Sequence, residues 1–152
     1  MAKYTAEIIA KWLLKYNEFV RDIENEDTDQ ISNLKLQKLL YYCQGAFLAI
    51  KNEKLFEDDI LAWTHGPVIE EIYQEYKKFG AGGITEIPNE KVLIDEETRE
   101  VLINTYNTFG KYSAWGLRNL THNETPWKET KKNDVISTDK IKKYFRENYI
   151  GN

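Results

Sequence analysis

LKLQKLLYYCQGAFLAI, residues 34–50, is the stretch whose reading decides the fold. Leu36, Leu40, Cys43, Phe47 and Ile50 recur at alternating steps of four and three, the repeat of one α-helical face. Leu39, Tyr42 and Ala46 broaden that stripe beyond the roughly 100° of a helix that covers a core from one side. The spacing predicts a central helix, capped by Ser32 and packed on more than one side. Lys35, Gln37, Lys38 and Gln44 interrupt the apolar run, and a membrane helix needs about 18 apolar residues in succession. No transmembrane span is expected. Cys43, in the middle of the stripe, reads as a small buried hydrophobe. Gly45 costs about 1 kcal/mol relative to Ala inside a helix, and a close helix crossing at that point would account for it.

Upstream, Thr5 can cap a first helix carrying Ile9, Leu13, Tyr16, Val20 and Ile23 on one face, widened by Trp12 and Phe19. The acidic stretch from Glu24 to Gln30 reads as a loop. Downstream, Leu55-Phe56 and Ile60 to Trp63 are short apolar pieces that suit extended backbone. Gly66-Pro67 is a strong break. Proline suits a first helical turn and the residue before it avoids the α region, so a third helix is expected to start there, with Ile69, Ile72, Tyr76 and Phe79 on its face. Gly80-Ala81-Gly82-Gly83 ends it. Val92-Leu93-Ile94 suits a minimal strand or an extended tether. Asp95 opens a fourth helix bearing Leu102, Tyr106 and Phe109, and Ser113 caps a fifth with Trp115, Leu117 and Leu120. Thr125-Pro126-Trp127 starts a further turn, and Ser137 or Thr138 caps a last helix with Ile141, Tyr144, Phe145 and Tyr149. The expectation is a mainly α fold: a single compact domain over residues 1–152, about six helices, with at most a minimal extended or β element.

The 152 residues suit one domain, which buries roughly 70% of the surface its unfolded chain exposes. A net charge of −4 and no basic run argue against general nucleic-acid binding. One cysteine allows no internal disulfide, and the start of the chain lacks the apolar core of a signal peptide, so a cytoplasmic setting is expected.

The chemistry-bearing residues are few. His65 lies in Thr64-His65-Gly66-Pro67 and His122 in Thr121-His122-Asn123-Glu124. Either could act as a general base oriented by Glu70 or Glu124, but no nucleophile elbow accompanies them. No His-x-x-x-His or Cys-x-x-Cys spacing marks a metal site, and the Gly80 to Gly83 loop lacks the Lys-Ser or Lys-Thr of a phosphate loop. Neither a cofactor nor a metal is expected. Protein binding remains. Trp63, Trp115 and Trp127 each sit beside a helix boundary, and Trp, Tyr and Arg are the side chains that anchor interfaces.

Three segments in order carry a resemblance. They are Leu36 to Tyr42; Ala62 to Val68 with Tyr73 behind it; and Leu117-Arg118 with Thr121 to Trp127. Together, over roughly Ile8 to Trp127, they resemble the Panacea domain family of SocA-like antitoxins and phage-associated GepA-like proteins. The resemblance implies a nearly all-helical domain of bacteria, phages and prophages. Many members neutralise a cognate toxin by direct contact, one type delivers its toxin to the AAA+ protease ClpXP, and some carry an added DNA-binding domain that the length and acidic charge of this chain do not suggest. It implies no catalytic residues. The reading is then an antitoxin, with Trp63, His65, Trp115, Arg118, His122 and Trp127 as candidate contact residues. A proteolytic adaptor is the alternative, and an enzyme using His65 or His122 a third.

Overall fold

Every residue from Lys35 to Ala49 is buried, although the helix that carries them includes two lysines and two glutamines. A computed structural model describes residues 2–24 and 28–150, and α2, Asn33–Lys51, runs through its middle. Around it pack α1 (Ala6–Glu24), α4 (Glu96–Phe109), α5 (Ala114–His122) and α7 (Thr138–Asn148), with α3 (Glu70–Tyr76) and a two-stranded hairpin on a further side. The hairpin pairs β1 (Leu61–Trp63) with β2 (Gly66–Val68). A 3-10 turn at Lys77–Phe79 and a single-turn α6 (Thr125–Lys128) complete the described elements. The mainly helical expectation holds, and the short α6 brings the described α-helices to seven.

The polar residues of α2 are satisfied by ties to the segments that surround it. The Lys35 amine donates to the Gly110 carbonyl at the end of α4. Gln37 Oε1 accepts the Ile69 amide ahead of α3 at 2.8 Å. The Lys38 amine donates to the Pro67 carbonyl at 3.0 Å. Gln44 donates to the Phe56 carbonyl and accepts from the Leu55 amide, at 2.8 and 2.7 Å. Buried polar groups are tolerated when they are hydrogen-bonded. The residues that break the apolar run thus anchor the irregular segments to the central helix. Gly45 has the close crossing its position suggested: a Cβ there would fall 2.4 Å from the Phe145 ring of α7.

The caps fall where the sequence places them. Ser32, Asp95, Ser113 and Ser137 each accept an amide from the first turn of α2, α4, α5 and α7. Thr5 Oγ1 accepts from the Ile8 amide at 3.2 Å. Phe19, Ile23 and Ile50, read as core positions, are exposed. Part of the loop expected over residues 24–30 lies outside the described residues, and Glu24 itself ends α1. Residues 92–94 form no strand and serve as the tether of the two alternatives, with Ile94 buried.

The corner at Gly66-Pro67 differs from the expectation. No helix begins at Pro67. Gly66 takes φ +110, a conformation that side chains rarely adopt, and Pro67 continues as extended backbone opposite Ala62. The chain at 133–136 borders the other edge of β1, where the Asn133 and Ile136 amides donate to Ala62 and Ile60. Helix α3 waits until Glu70, because the Ile69 amide is held by Gln37 and the extended pairing occupies the residues before it. No described helix is long and apolar enough to cross a membrane.

Candidate functional site

The tip of the β1–β2 hairpin, Thr64-His65, meets α5 and α6 and brings the six candidate residues into two adjoining groups. The first group is tied to the scaffold. Trp127 donates its indole N–H to the Trp63 carbonyl at 2.8 Å. The His122 ring lies flat on Trp127, centroids 3.9 Å apart and planes within 4°. Trp63 meets Tyr73 of α3 edge to face at 5.3 Å. His122 Nε2 is buried and finds no hydrogen-bond partner among the described residues. Burial, then the charges of Arg118 and Lys38, lower its pKa and hold the ring neutral, against the opposing pull of the Thr64 carbonyl.

The second group faces outward. Trp115 leaves 54% of its surface exposed. The Arg118 guanidinium lies over that indole, 4.3 Å from the ring centroid, and donates from Nε to His65 Nδ1 at 3.2 Å. His65 in turn lies 5.7 Å from Trp115. A cation stacked on an aromatic face contributes about 0.5–1 kcal/mol at an exposed site. Its further effect is to hold a large side chain still in solvent before anything binds.

Behind the hairpin, the α5–α6 junction carries a buried acid. Glu124 accepts hydroxyl hydrogen bonds from Tyr41 and Tyr42 of α2, each at 2.9 Å, and from Tyr149 just past α7. Burial raises the Glu124 pKa, while the three tyrosine donors oppose that rise. This places Glu124 as a structural staple and takes it away from His122, for which the sequence made it a candidate orienter. Glu70, the other candidate orienter, is exposed at the start of α3. Cys43 is fully buried and its thiol is held protonated by burial.

Between α2, the hairpin and α3 lies a cleft of about 410 Å³ whose lining includes Leu34, Lys38, Trp63, His65, Val68 and Tyr73. Reading residues 34–50 as an interrupted apolar run missed Lys38, whose amine reaches the hairpin. A lysine one turn from Leu34 in an otherwise apolar stripe was the available signal.

Residues 36–128 match the family model described as antitoxin SocA-like, Panacea domain. The chain belongs to the Panacea domain family. Within this family, antitoxin SocA of Caulobacter vibrioides (strain NA1000 / CB15N) is 31% identical over 109 residues, 64% of this chain. The chain spans 58% of the length of that relative. No solved structure matches it. The Panacea match begins inside α2 and ends with α6, so it takes in the hairpin, the cleft and all six candidate residues.

Proposed function

We propose that this chain is an antitoxin that binds a partner toxin directly and covers the toxin's active surface, acting in the cytosol as one domain and without catalysis. Membership of a SocA-like antitoxin family and the likeness to an antitoxin of Caulobacter support the reading. The observation that carries it is the exposed Trp115, fixed in place by Arg118. Interface anchors are large aromatic and arginine side chains, and they bind best when ordering them costs little. We assign contact with the toxin to Trp115, Arg118 and His65. Trp63, His122 and Trp127 position the hairpin corner beneath them.

The test is co-expression with the neighbouring gene. The wild-type chain restores growth and copurifies with the gene product, and the Trp115→Ala, Arg118→Ala double variant loses both while remaining folded. Failure of the wild-type chain to copurify or to restore growth refutes direct neutralisation. A toxin half-life that shortens when this chain is present assigns the effect to delivery to a AAA+ protease in place of occlusion.

A further inference from the structure

The cleft beside the hairpin holds a cation without an anion. Lys38 is 1% exposed, and the only acceptor its amine reaches among the described residues is the Pro67 carbonyl. An ammonium has three donors, and a buried charge is costly unless it is paired. The charged group that acts on it is Arg118, another cation, and burial together with that repulsion lowers the Lys38 pKa to about 7. Arg118, Lys38 and His65 likewise all oppose a charge on His122. No aspartate or glutamate lines the cleft, in a chain whose net charge is −4. Its other walls are apolar or aromatic: Leu34, Val68, Trp63 and Tyr73. At about 410 Å³ the space suits a small molecule. The backbone at Gly66 is stripped to make room, since a Cβ there would fall 2.8 Å from Lys38 Cε.

We propose that this cleft binds a small aromatic oxyanion, an aryl carboxylate or aryl phosphate, with the anionic group on Lys38 and His65 and the ring along Trp63 and Tyr73. The oxyanion supplies the acceptors that Lys38 lacks and offsets the mutual repulsion of Lys38 and Arg118. The aromatic walls favour a planar body over a bare ion. The inference stands apart from toxin binding, because the cleft lies behind the exposed Trp115 and needs no partner protein to be complete.

The experiment is an NMR titration of the full chain with benzoate, phenyl phosphate and inorganic phosphate, following the Gly66 amide and the Trp63 indole at constant ionic strength. At least one aryl probe shifts both signals saturably, and binds about tenfold or more tighter than inorganic phosphate. Whether benzoate or phenyl phosphate binds tighter tells a carboxylate source from a phosphate source. Lys38→Met weakens the aryl probe by about tenfold or more, the loss of one charge-assisted contact. Benzoate keeps its charge across the neutral range, so its affinity for the wild-type chain falls as pH rises past about 7, where Lys38 loses its proton. The fall persists in His65→Gln, while Arg118 stays charged and His122 stays neutral throughout. This pH series on the wild-type chain decides the matter if Lys38→Met fails to fold. No saturable shift with either aryl probe, an unchanged affinity in folded Lys38→Met, or a benzoate affinity indifferent to pH overturns the proposal.

Discussion

Trp127 donates its indole N–H to the Trp63 carbonyl across 64 residues of sequence, at 2.8 Å, and so ties α6 to the strand that leads into the hairpin tip. The flat His122 ring seals the other side of that indole. Trp127→Phe preserves the stack and removes the donor. We expect a loss of about 1 kcal/mol, the net value of one hydrogen bond, with Trp127→Ala costing about 3 kcal/mol through the added cavity. Urea denaturation measures both. Equal costs for the two variants would show that the hydrogen bond contributes nothing.

Glu124 is the one acceptor shared by Tyr41, Tyr42 and Tyr149. Glu124→Ala leaves three hydroxyls without it, two of them on fully buried tyrosines. A loss of about 3–5 kcal/mol is expected, as for breaking a buried polar network. Tyr149→Phe removes a single, partly exposed donor and costs about 1 kcal/mol. Because burial raises the Glu124 pKa, the folded protein holds a proton that the unfolded chain releases. Its contribution is greatest below the ordinary value of 4.5 and declines as pH climbs through the folded value. Thermal melts of the wild type and Glu124→Gln across the acid range would show that slope in the first and not in the second.

Lys38 has the opposite sign. Its folded pKa, about 7, lies below the ordinary 10.5, so between those values the unfolded chain binds the extra proton. Stability from this group therefore rises as pH increases from about 7 toward 10.5, at a limiting slope of about 1.4 kcal/mol per pH unit. Lys38→Met flattens the rise. Melting temperatures recorded across that range check it, and parallel curves for the two proteins would contradict it.

Gly45→Ala would stabilise an isolated helix, yet its methyl group would meet the Phe145 ring at 2.4 Å. The crossing of α2 and α7 must open, at a cost of about 1–3 kcal/mol. Adding Phe145→Leu to Gly45→Ala should recover part of the loss, and a double-mutant cycle in urea would measure the coupling. Strict additivity would place the strain elsewhere.

Trp115→Ala separates binding from folding. The side chain is 54% exposed, so stability changes by no more than about 0.5 kcal/mol. Toxin affinity falls by about 2 kcal/mol or more if Trp115 is an anchor. Calorimetry with the purified partner reads the second and denaturation the first.

Local signals in the sequence carried far where short-range physics rules. The helical stripes of α1 and α2 and the side-chain caps at Ser32, Asp95, Ser113 and Ser137 rest on contacts within one turn. Gly45 announced the α7 crossing because a glycine inside a helix needs a reason. The Gly66-Pro67 corner misled because proline fits a strand edge as readily as a first helical turn. What separates the two is Gln37 and Lys38, tens of residues earlier, holding the following backbone extended. The six candidate residues do come together, but their division into an outward group and an anchored group depends on burial that spacing cannot report. Glu124 looked like a partner for His122 because the two are neighbours in sequence. Its real partners come from α2 and from the chain beyond α7.

Helix α2 has no bare side, and that bears on the order in which the protein is made. Its ties are to Leu55, Phe56, Pro67, Ile69 and Gly110, and its close crossing is with Phe145, all of which leave the ribosome after it. A nascent chain that has reached Tyr112 still shows an uncovered apolar flank where α7 will lie. Completion of α7 is the event that hides it, so chains truncated before Phe145 are natural prey for quality control.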